Sequence, residues 1–362
     1  LTQYLRIETK LIQGSNLEVM EAPCVVGFQN LDQLREILFR YGEFRTAKQV
    51  GLKIPEPIVR RIEVELDAAQ EAKYTRYIEA YEQALGTMTF SPESRYKALG
   101  LLQRMALVAV HAELDESPDE GGWSYGNAHR AQSFASPKFV QIAALIAEKK
   151  DCGHIVFLEN NAAHYWLRET IAAAGIPKER IAVLNGETAP TTLVRQRIAE
   201  GFTSDQAQYD VVIANKIAYE GLNLQNRTCA IYHDDLPMEP ATLQQRNGRG
   251  QRQGNRYDVI YIYYVLARRS MDMARFQLIA GKREWMAELL ESAASETNNP
   301  AAQADQSPED WLMYLSRDPE KTQRLFAAKE AQRAQAERDS QRKMAWARVR
   351  GIAVRQRELS GA

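Results

Sequence analysis

The sequence predicts an α/β fold in which a parallel sheet is flanked by helices. Between residues 136 and 297, short apolar runs alternate with helical stretches of about 10–15 residues, the order typical of a parallel sheet. The runs are apolar at consecutive positions, which indicates strands buried on both faces. Of the 362 residues, 45% are apolar and 26% are charged, so the chain can bury a sizeable core. The length also predicts more than one domain.

Residues 1–115 are predicted to form a mostly helical region ahead of this sheet. Apolar residues or tyrosines recur there at helical spacing. Helices are expected over 31–39, 67–85 and 96–114. Residues 60–66 alternate between polar and apolar side chains, which predicts a half-buried strand.

Residues 116–135 are predicted to form a loop or linker, because they contain Pro118 and three glycines without periodicity. The sheet domain follows over 136–297. Its strands are expected at 154–158, 181–184, 211–214, 230–233 and 259–265. Its helices are expected at 139–147, 162–174, 191–202, 240–247 and 271–290.

Residues 298–308 are predicted to be a second linker, and 309–362 a basic helical tail with one long helix over 323–359. Residues 320–362 contain eleven Lys and Arg against five Asp and Glu, whereas the whole chain has a net charge of −1. This excess suggests contact with a polyanion, with Arg333, Arg342 and Lys343 as candidate DNA-binding residues. A solvated helix face is the alternative.

We expect no metal site, because the five histidines never occur at HxxxH or HExxH spacing. Cys24, Cys152 and Cys229 lie far apart without a CxxC pair, so we expect neither a disulfide framework nor a cysteine zinc site. No apolar run approaches the ~18 residues of a membrane span, and no leader opens the chain. We therefore expect a cytoplasmic protein without a membrane partner.

The most informative segment is 240–256, which carries four arginines. Arg249 and Arg252 are three residues apart, and Gln245 precedes Arg249 by four, so a helical turn brings the three side chains to one side. Guanidinium groups bind phosphate oxygens two at a time, so the pair is suited to an anion. The alternative is a solvated basic turn.

The spacing Gln245-x3-Arg249-x2-Arg252-x-Gly254 resembles motif VI of superfamily-two helicases, and its lead-in from Pro240 resembles the Swi/Snf-type remodeller branch. The resemblance implies that Arg252 is an arginine finger for ATP bound on another lobe. It also implies that Arg249 faces the nucleotide and that Gln245 supports the interface.

Residues 211–225 resemble motif V of the same family. The resemblance assigns Gly221 and Asn223 to the nucleotide interface, and Asn215 and Lys216 to the DNA backbone. From the residues alone, Gly221 and Asn223 are equally well explained by a tight turn.

Residues 155–159 resemble motif IV, and Ser136-Pro-Lys138 resembles the start of the family's second lobe. The helix that ends at Phe202 carries Arg195, which the resemblance places among the DNA-binding residues. The resemblance covers roughly residues 49–293.

The resemblance implies the second, C-terminal RecA-like lobe of an ATP-dependent DNA helicase or translocase. The sequence contains no GxxxxGK[ST] loop, and its acidic pairs at 115–116 and 119–120 do not follow an apolar strand. We therefore expect ATP and Mg²⁺ to be held mainly by an absent first lobe, and this chain alone to be inactive. Double-stranded DNA and the first lobe are the expected partners.

Because the chain begins at Leu1 rather than Met, we expect a piece of a longer protein, with a large methyltransferase–helicase fusion as one possible parent. The alternative is a non-catalytic nucleic-acid or protein interaction module that retains the helicase fold. Gln245, Arg249 and Arg252 together favour the motor, because a pure binding module would not use them.

Overall fold

The computed structural model of the protein describes residues 3–13, 19–42, 50–86, 92–116, 121–219, 221–291, 297–298, 315–318, 320, 324 and 338. The chain divides into two compact units, Leu1–Leu315 and Ser316–Ala362. The divisions predicted near residues 115, 135 and 297 lie within the first unit and remain predictions.

The described residues of the first unit form strands and helices, each numbered in chain order. The strands are β1 (Leu5–Gln13), β2 (Val19–Phe28), β3 (Glu56–Val64), β4 (Gly153–Phe157), β5 (Ile181–Leu184), β6 (Val211–Ala214), β7 (Thr228–His233), β8 (Val259–Ala267) and β9 (Thr297–Asn298). The helices are α1 (Leu31–Tyr41), α2 (Ala68–Gly86), α3 (Pro92–Val110), α4 (Pro137–Ala147), α5 (Asn161–Ala173), α6 (Thr192–Thr203), α7 (Pro240–Asn247) and α8 (Met271–Glu291).

Six strands form one sheet in the order β3-β8-β7-β4-β6-β5, and every pairing between them is parallel. The predicted parallel sheet is confirmed, and its five predicted strands lie within two residues of their expected limits. The three central strands β4, β6 and β7 are buried at every position, as expected for a sheet covered on both faces.

Helices cover both faces of this sheet. Phe139 of α4 and Trp166 of α5 are fully buried in a cluster with Val156 of β4. On the opposite face, Phe202 of α6 packs in a cluster with Ile155, and Leu243 of α7 packs with Ile262 of β8. The alternation of side chains along each strand therefore supplies two cores, one on each face.

Capping residues in the sequence determine where three of these helices begin. The Ser136, Asn160 and Thr191 side chains accept hydrogen bonds from backbone N–H groups in the first turns of α4, α5 and α6. Proline occupies the first helical position of α4 and α7, where its missing N–H is not needed.

The N-terminal region contains more strand than the sequence analysis predicts. In addition to the three expected helices, β1 and β2 form an antiparallel hairpin, with Leu5 opposite Phe28, and β9 pairs with β2. The hairpin strand was missed, although apolar Leu5 and Ile7 alternate with polar residues. The predicted strand at 60–66 is β3, which joins the main sheet as an edge strand beside β8.

The predicted loop at 116–135 packs closely against the sheet domain where it is described. It contains a short 3-10 turn, Ala128–Arg130. The Trp166 indole N–H donates to the Ala128 carbonyl oxygen at 2.7 Å, and the Trp123 and Trp166 rings meet edge to face at 5.1 Å. This segment is therefore irregular, as expected, but anchored.

The second unit is described at few positions. Ser316 Oγ accepts a hydrogen bond from the Asp318 N–H at 3.1 Å, and Arg324 pairs with Glu320, four residues earlier, at 3.4 Å. Outside the described residues lie positions 299–308 of the linker predicted at 298–308, most of the predicted long helix, and Arg333, Arg342 and Lys343.

The sequence predicts no disulfide framework, but the structure joins two of the three cysteines. Cys152 and Cys229 are joined by a disulfide, with their Cα atoms 5.9 Å apart and a sequence separation of 77. Cys152 precedes β4 and Cys229 lies near the start of β7, and these strands are parallel neighbours. Sequence spacing does not reveal this proximity, because the sheet order creates it.

Within the part of the chain that the structure describes, no helix is both long and apolar enough to cross a membrane.

Candidate functional site

The segments that resemble motifs V and VI lie side by side. Arg249 and Arg252 follow the end of α7, and the turn at 221–223 leads from β6 toward β7. Arg249 Nη1 donates to the Leu222 carbonyl oxygen at 2.8 Å, and Arg252 Nη1 approaches Asn223 Oδ1 at 3.4 Å. The structure therefore brings together two segments that are about 25 residues apart in sequence.

Exposure differs among these residues. Gln245, Asn223 and Arg252 are exposed, whereas Arg249 is half-buried. Gly221 has φ +71°, a left-handed conformation that strongly favours glycine, and no atom lies within 4 Å of where a Cβ would stand. Backbone conformation, rather than close approach by another part of the described chain, therefore requires glycine at this turn.

The three described candidates for DNA contact have different environments. Asn215 is buried, and its side-chain amide donates to Asn161 Oδ1 at 3.1 Å. Lys216 is exposed at the start of a short 3-10 turn directly after β6. Arg195 donates to the carbonyl oxygens of Ala189 at 2.8 Å and Pro190 at 3.1 Å, so it stabilises the turn before α6.

Arg246 is a site residue that the sequence analysis did not single out. Its side chain is fully buried, and Nη2 donates to Glu159 Oε1 at 2.8 Å. Nη1 donates to the carbonyl oxygen and to Oδ1 of Asp235, at 2.8 and 3.0 Å. The Glu159 N–H in turn donates to Asp235 Oδ2 at 2.6 Å. Arg246 thereby ties α7 to the ends of β4 and β7.

A sequence signal for this network existed. Glu159 and Asp235 each follow a buried apolar strand by two residues. Parallel strands end at one edge of a sheet, so acids placed in this way can meet when their strands are neighbours. Only the strand order β7-β4 shows that these two strands are adjacent.

Next to this network, buried charges join α4, β7 and α8. Lys138 Nζ donates to Asp272 Oδ2 at 2.9 Å and to the Asp234 carbonyl oxygen. Burial raises the pKa of Asp234 to about 7, and Lys138, whose Nζ is 3.7 Å from Asp234 Oδ2, opposes this shift. Lys138, which the sequence analysis placed at the start of the lobe, therefore anchors the helix that enters it.

An apolar groove lies away from these residues. It has a volume of about 600 Å³ between α4 and α5, and Val140, Ala143, Ala144 and Ala173 are among the residues that line it. It is on the sheet face opposite to α7 and contains no predicted site residue.

Comparison with known proteins agrees with this geometry. Residues 137–254 match the family described as the helicase conserved C-terminal domain. The fold resembles the crystal structure of the C-terminal part of the Fun30 ATPase domain, with a TM-score of 0.50, 15% identity, and 62% of this chain and 90% of that chain covered. It also resembles the Sulfolobus solfataricus SWI2/SNF2 ATPase C-terminal domain, with a TM-score of 0.49, 15% identity, and coverage of 73% and 100%.

Residues 137–254 therefore match a helicase C-terminal domain, and the sheet has the fold of the C-terminal part of the Fun30 ATPase domain, which confirms the resemblance to a helicase second lobe seen in the motifs. Among characterised proteins, the chain is similar to Defense against restriction protein B of Escherichia phage P1. The two are 35% identical over 107 residues, which is 30% of this chain and 5% of the phage protein.

Proposed function

We propose that the helicase C-terminal domain of this chain is the second lobe of an ATP-dependent DNA translocase of the Swi/Snf type. The supporting observation is that one turn, 221–223, contacts the guanidinium groups of both Arg249 and Arg252. Two arginines held by the same turn can act together on one anion.

The chemistry proposed for the arginines is phosphoryl transfer. Arg252 is exposed, so its remaining N–H groups can bind the phosphate oxygens of ATP held by the first lobe, and Arg249 supports the same turn. An arginine finger stabilises the charge that develops in the transition state and is worth about 10³–10⁵ in turnover. Gln245 is exposed on the neighbouring helix and is proposed to contact the first lobe.

The first lobe is proposed to hold Mg²⁺. The buried carboxylate of Asp234 lies beside Lys138 and does not suit a divalent cation, because the ammonium group would compete with the ion. Mg²⁺ supplies charge neutralisation of the phosphates when bound. The 362 residues contain no GxxxxGK[ST] phosphate-binding loop, so on this proposal they do not hydrolyse ATP by themselves.

Double-stranded DNA is the proposed substrate track. Lys216 is exposed after β6 and can reach phosphates, whereas Asn215 and Arg195 would act by positioning the turns beside it. Because phosphate contacts carry no sequence information, binding should be independent of base sequence and sensitive to salt. A cytoplasmic location is part of the same proposal.

The similarity to the phage protein concerns a small part of a much longer chain. We propose that this lobe also acts within a longer protein, such as a methyltransferase–helicase fusion.

The test is the Arg252→Ala variant of the full-length protein. We expect DNA-stimulated ATP hydrolysis to fall at least ~10²-fold, with ATP affinity largely retained, because the arginine acts in the transition state. Arg249→Ala should behave similarly. The matched control is Arg256→Ala in the same loop, where the exposed guanidinium pairs with Asp205 at 3.0 Å.

If Arg252→Ala and Arg249→Ala both retain the turnover of the Arg256→Ala control, the arginines form a basic turn. The chain would then be a non-catalytic interaction module that retains the helicase fold.

A further inference from the structure

At the amino ends of β4 and β7, three potential metal ligands meet in the interior. Cys152 Sγ, a ring nitrogen of His154 and Cys229 Sγ all lie within 4.8 Å of one another, and all three residues are buried. The disulfide described above joins the two cysteines. The disulfide bond does not require a histidine, so it does not explain why His154 lies beside the two cysteines.

We propose that the reduced Cys152–Cys229 pair and His154 form a binding site for a thiophilic divalent metal ion, with zinc as the preferred ion. Two thiolates and an imidazole are the ligand types that zinc favours. The disulfide is then the oxidised, metal-free state of the same site.

The spacing of the ligand atoms fits zinc. A tetrahedral ion with Zn–S near 2.3 Å and Zn–N near 2.0 Å separates a sulfur from a nitrogen ligand by about 3.6 Å. His154 Nε2 lies 3.7 Å from Cys152 Sγ. These two ligands therefore need no rearrangement of the backbone to share one ion.

A fourth ligand is available from the loop before β4. The Lys149 carbonyl oxygen lies 2.7 Å from His154 Nε2 and 3.6 Å from Cys152 Sγ. In the disulfide state, this oxygen accepts a hydrogen bond from the Nε2–H group. When the proton is carried by Nδ1 instead, the Nε2 lone pair is free for the ion, and the carbonyl oxygen would take the fourth position after a shift of under about 1 Å.

The structure also supports the orientation of the histidine. His154 Nδ1 is 3.1 Å from the Tyr232 hydroxyl group on β7. In the metal-bound state, Nδ1 carries the proton and its N–H group donates a hydrogen bond to the Tyr232 hydroxyl oxygen, which leaves Nε2 free for the metal. Outer partners of this kind fix the tautomer and raise the affinity of metal sites.

The charge balance is suited to a buried site. A small-molecule dithiol reduces the disulfide with two electrons and two protons, giving two thiols and the oxidised cyclic form of the reductant. Zinc binding then releases the two thiol protons. Zn²⁺ with two thiolates and a neutral imidazole has no net charge, which avoids the cost of burying an unpaired ion.

The site would stabilise the strands beneath the arginine segment. Cys229 is adjacent to Thr228, whose carbonyl oxygen accepts a hydrogen bond from Asn255 at 2.8 Å. The same Asn255 amide donates to the Gly250 carbonyl oxygen at 2.9 Å. A metal ion or a disulfide would therefore hold the strand end on which the loop containing Arg252 rests.

The experiment uses Co²⁺ as a spectroscopic probe for zinc in the 362-residue chain. The protein is first reduced with a dithiol, and the reductant is then removed under anaerobic conditions. We expect one equivalent of Co²⁺ to bind with a thiolate-to-cobalt charge-transfer band, and Zn²⁺ to displace it. The unreduced chain should show no such band. Absence of the band from the reduced chain would overturn the proposal.

Three variants assign the ligands. Cys152→Ser should abolish the band. Cys24→Ser changes the remaining cysteine of the chain, which lies on β2, and should leave the band unchanged. Tyr232→Phe removes only the outer hydrogen bond and should weaken Co²⁺ binding about 10–100-fold. Circular dichroism shows whether Cys152→Ser folds. If it does not fold, the Tyr232→Phe affinity is the test of the proposal. Unchanged affinity in Tyr232→Phe, or loss of the band in Cys24→Ser, would contradict the site.

Discussion

At the scale of single residues, the arginines of one short segment have different roles because their surroundings differ. Arg246 is fully buried between Glu159 and Asp235, while Arg252 is exposed beside Asn223. Both belong to the same basic run in the sequence. An arginine next to the strand ends is buried and anchors the helix, whereas an arginine farther along the segment is exposed and available to a ligand.

Replacing Arg246 with Ala should destabilise the chain by about 3 kcal/mol, because Asp235 would lose its buried partner. The loss should be at the lower end of the range for buried pairs, because Glu159 is 44% exposed and can be rehydrated. Arg256→Ala is the control, with an expected loss below about 1 kcal/mol for a surface pair. Denaturant unfolding measures both, and equal losses would refute an anchoring role for Arg246.

At the scale of secondary-structure elements, buried histidines connect the central strands to their helices. His164 of α5 donates from Nε2 to the Leu158 carbonyl oxygen at 2.6 Å and accepts at Nδ1 from Asn185 Nδ2 at 3.1 Å. His233 of β7 stacks between Phe157 and Tyr264 and donates to Asn247 Oδ1 at 2.8 Å. Burial lowers the pKa of His164 to about 4 and that of His233 to about 3.

These shifts predict loss of stability in mild acid. Below the ordinary pKa of 6.5, the unfolded chain takes up protons that the native histidines do not, so the free energy of unfolding falls as pH decreases from 6.5 toward about 4. Asp234 acts in the opposite direction, because its raised pKa gives the native state an extra proton between pH 3.8 and about 7. The two histidines outweigh this one group.

The measurement is the free energy of unfolding against pH for His164→Gln and for His129→Gln, the latter at an exposed histidine. The slope between pH 6.5 and 5 should become shallower in His164→Gln and remain unchanged in His129→Gln. A slope that is the same in both variants would show that His164 does not carry the effect.

At the scale of the whole molecule, the chain separates into a unit that contains the sheet and a second unit, Ser316–Ala362. The charge follows this division, since the excess of Lys and Arg lies at 320–362 in a chain that is otherwise acidic. The first unit contains the candidate site. The second remains a candidate for nucleic-acid contact on the evidence of its charge.

Deleting residues 316–362 should lower DNA affinity and flatten the dependence of log K on log salt concentration by about 0.9 per lost phosphate contact. A variant with Arg333, Arg342 and Lys343 changed to Gln should reproduce part of this effect, because Gln retains helix propensity without charge. Salt titrations and melting curves are read together. A lower melting temperature with an unchanged salt slope would instead show that the tail serves stability.

The sequence by itself determined the local features of this protein. Consecutive apolar runs predicted the five strands of the sheet domain, and the spacing of Gln245, Arg249 and Arg252 indicated the helicase lobe. These features are readable because hydrophobic periodicity and capping act between residues that are close along the chain. The antiparallel hairpin at 5–28 was missed, although alternation marked its first strand.

Tertiary structure alone decided which distant residues meet. The order β7-β4 brings Glu159 to Asp235 at the carboxyl ends of these strands and Cys152 to Cys229 at their amino ends. The burial of Arg246 and the contact between Arg252 and Asn223 follow from the same order. Strand order depends on how whole layers pack against one another, and no local pattern of residues encodes it.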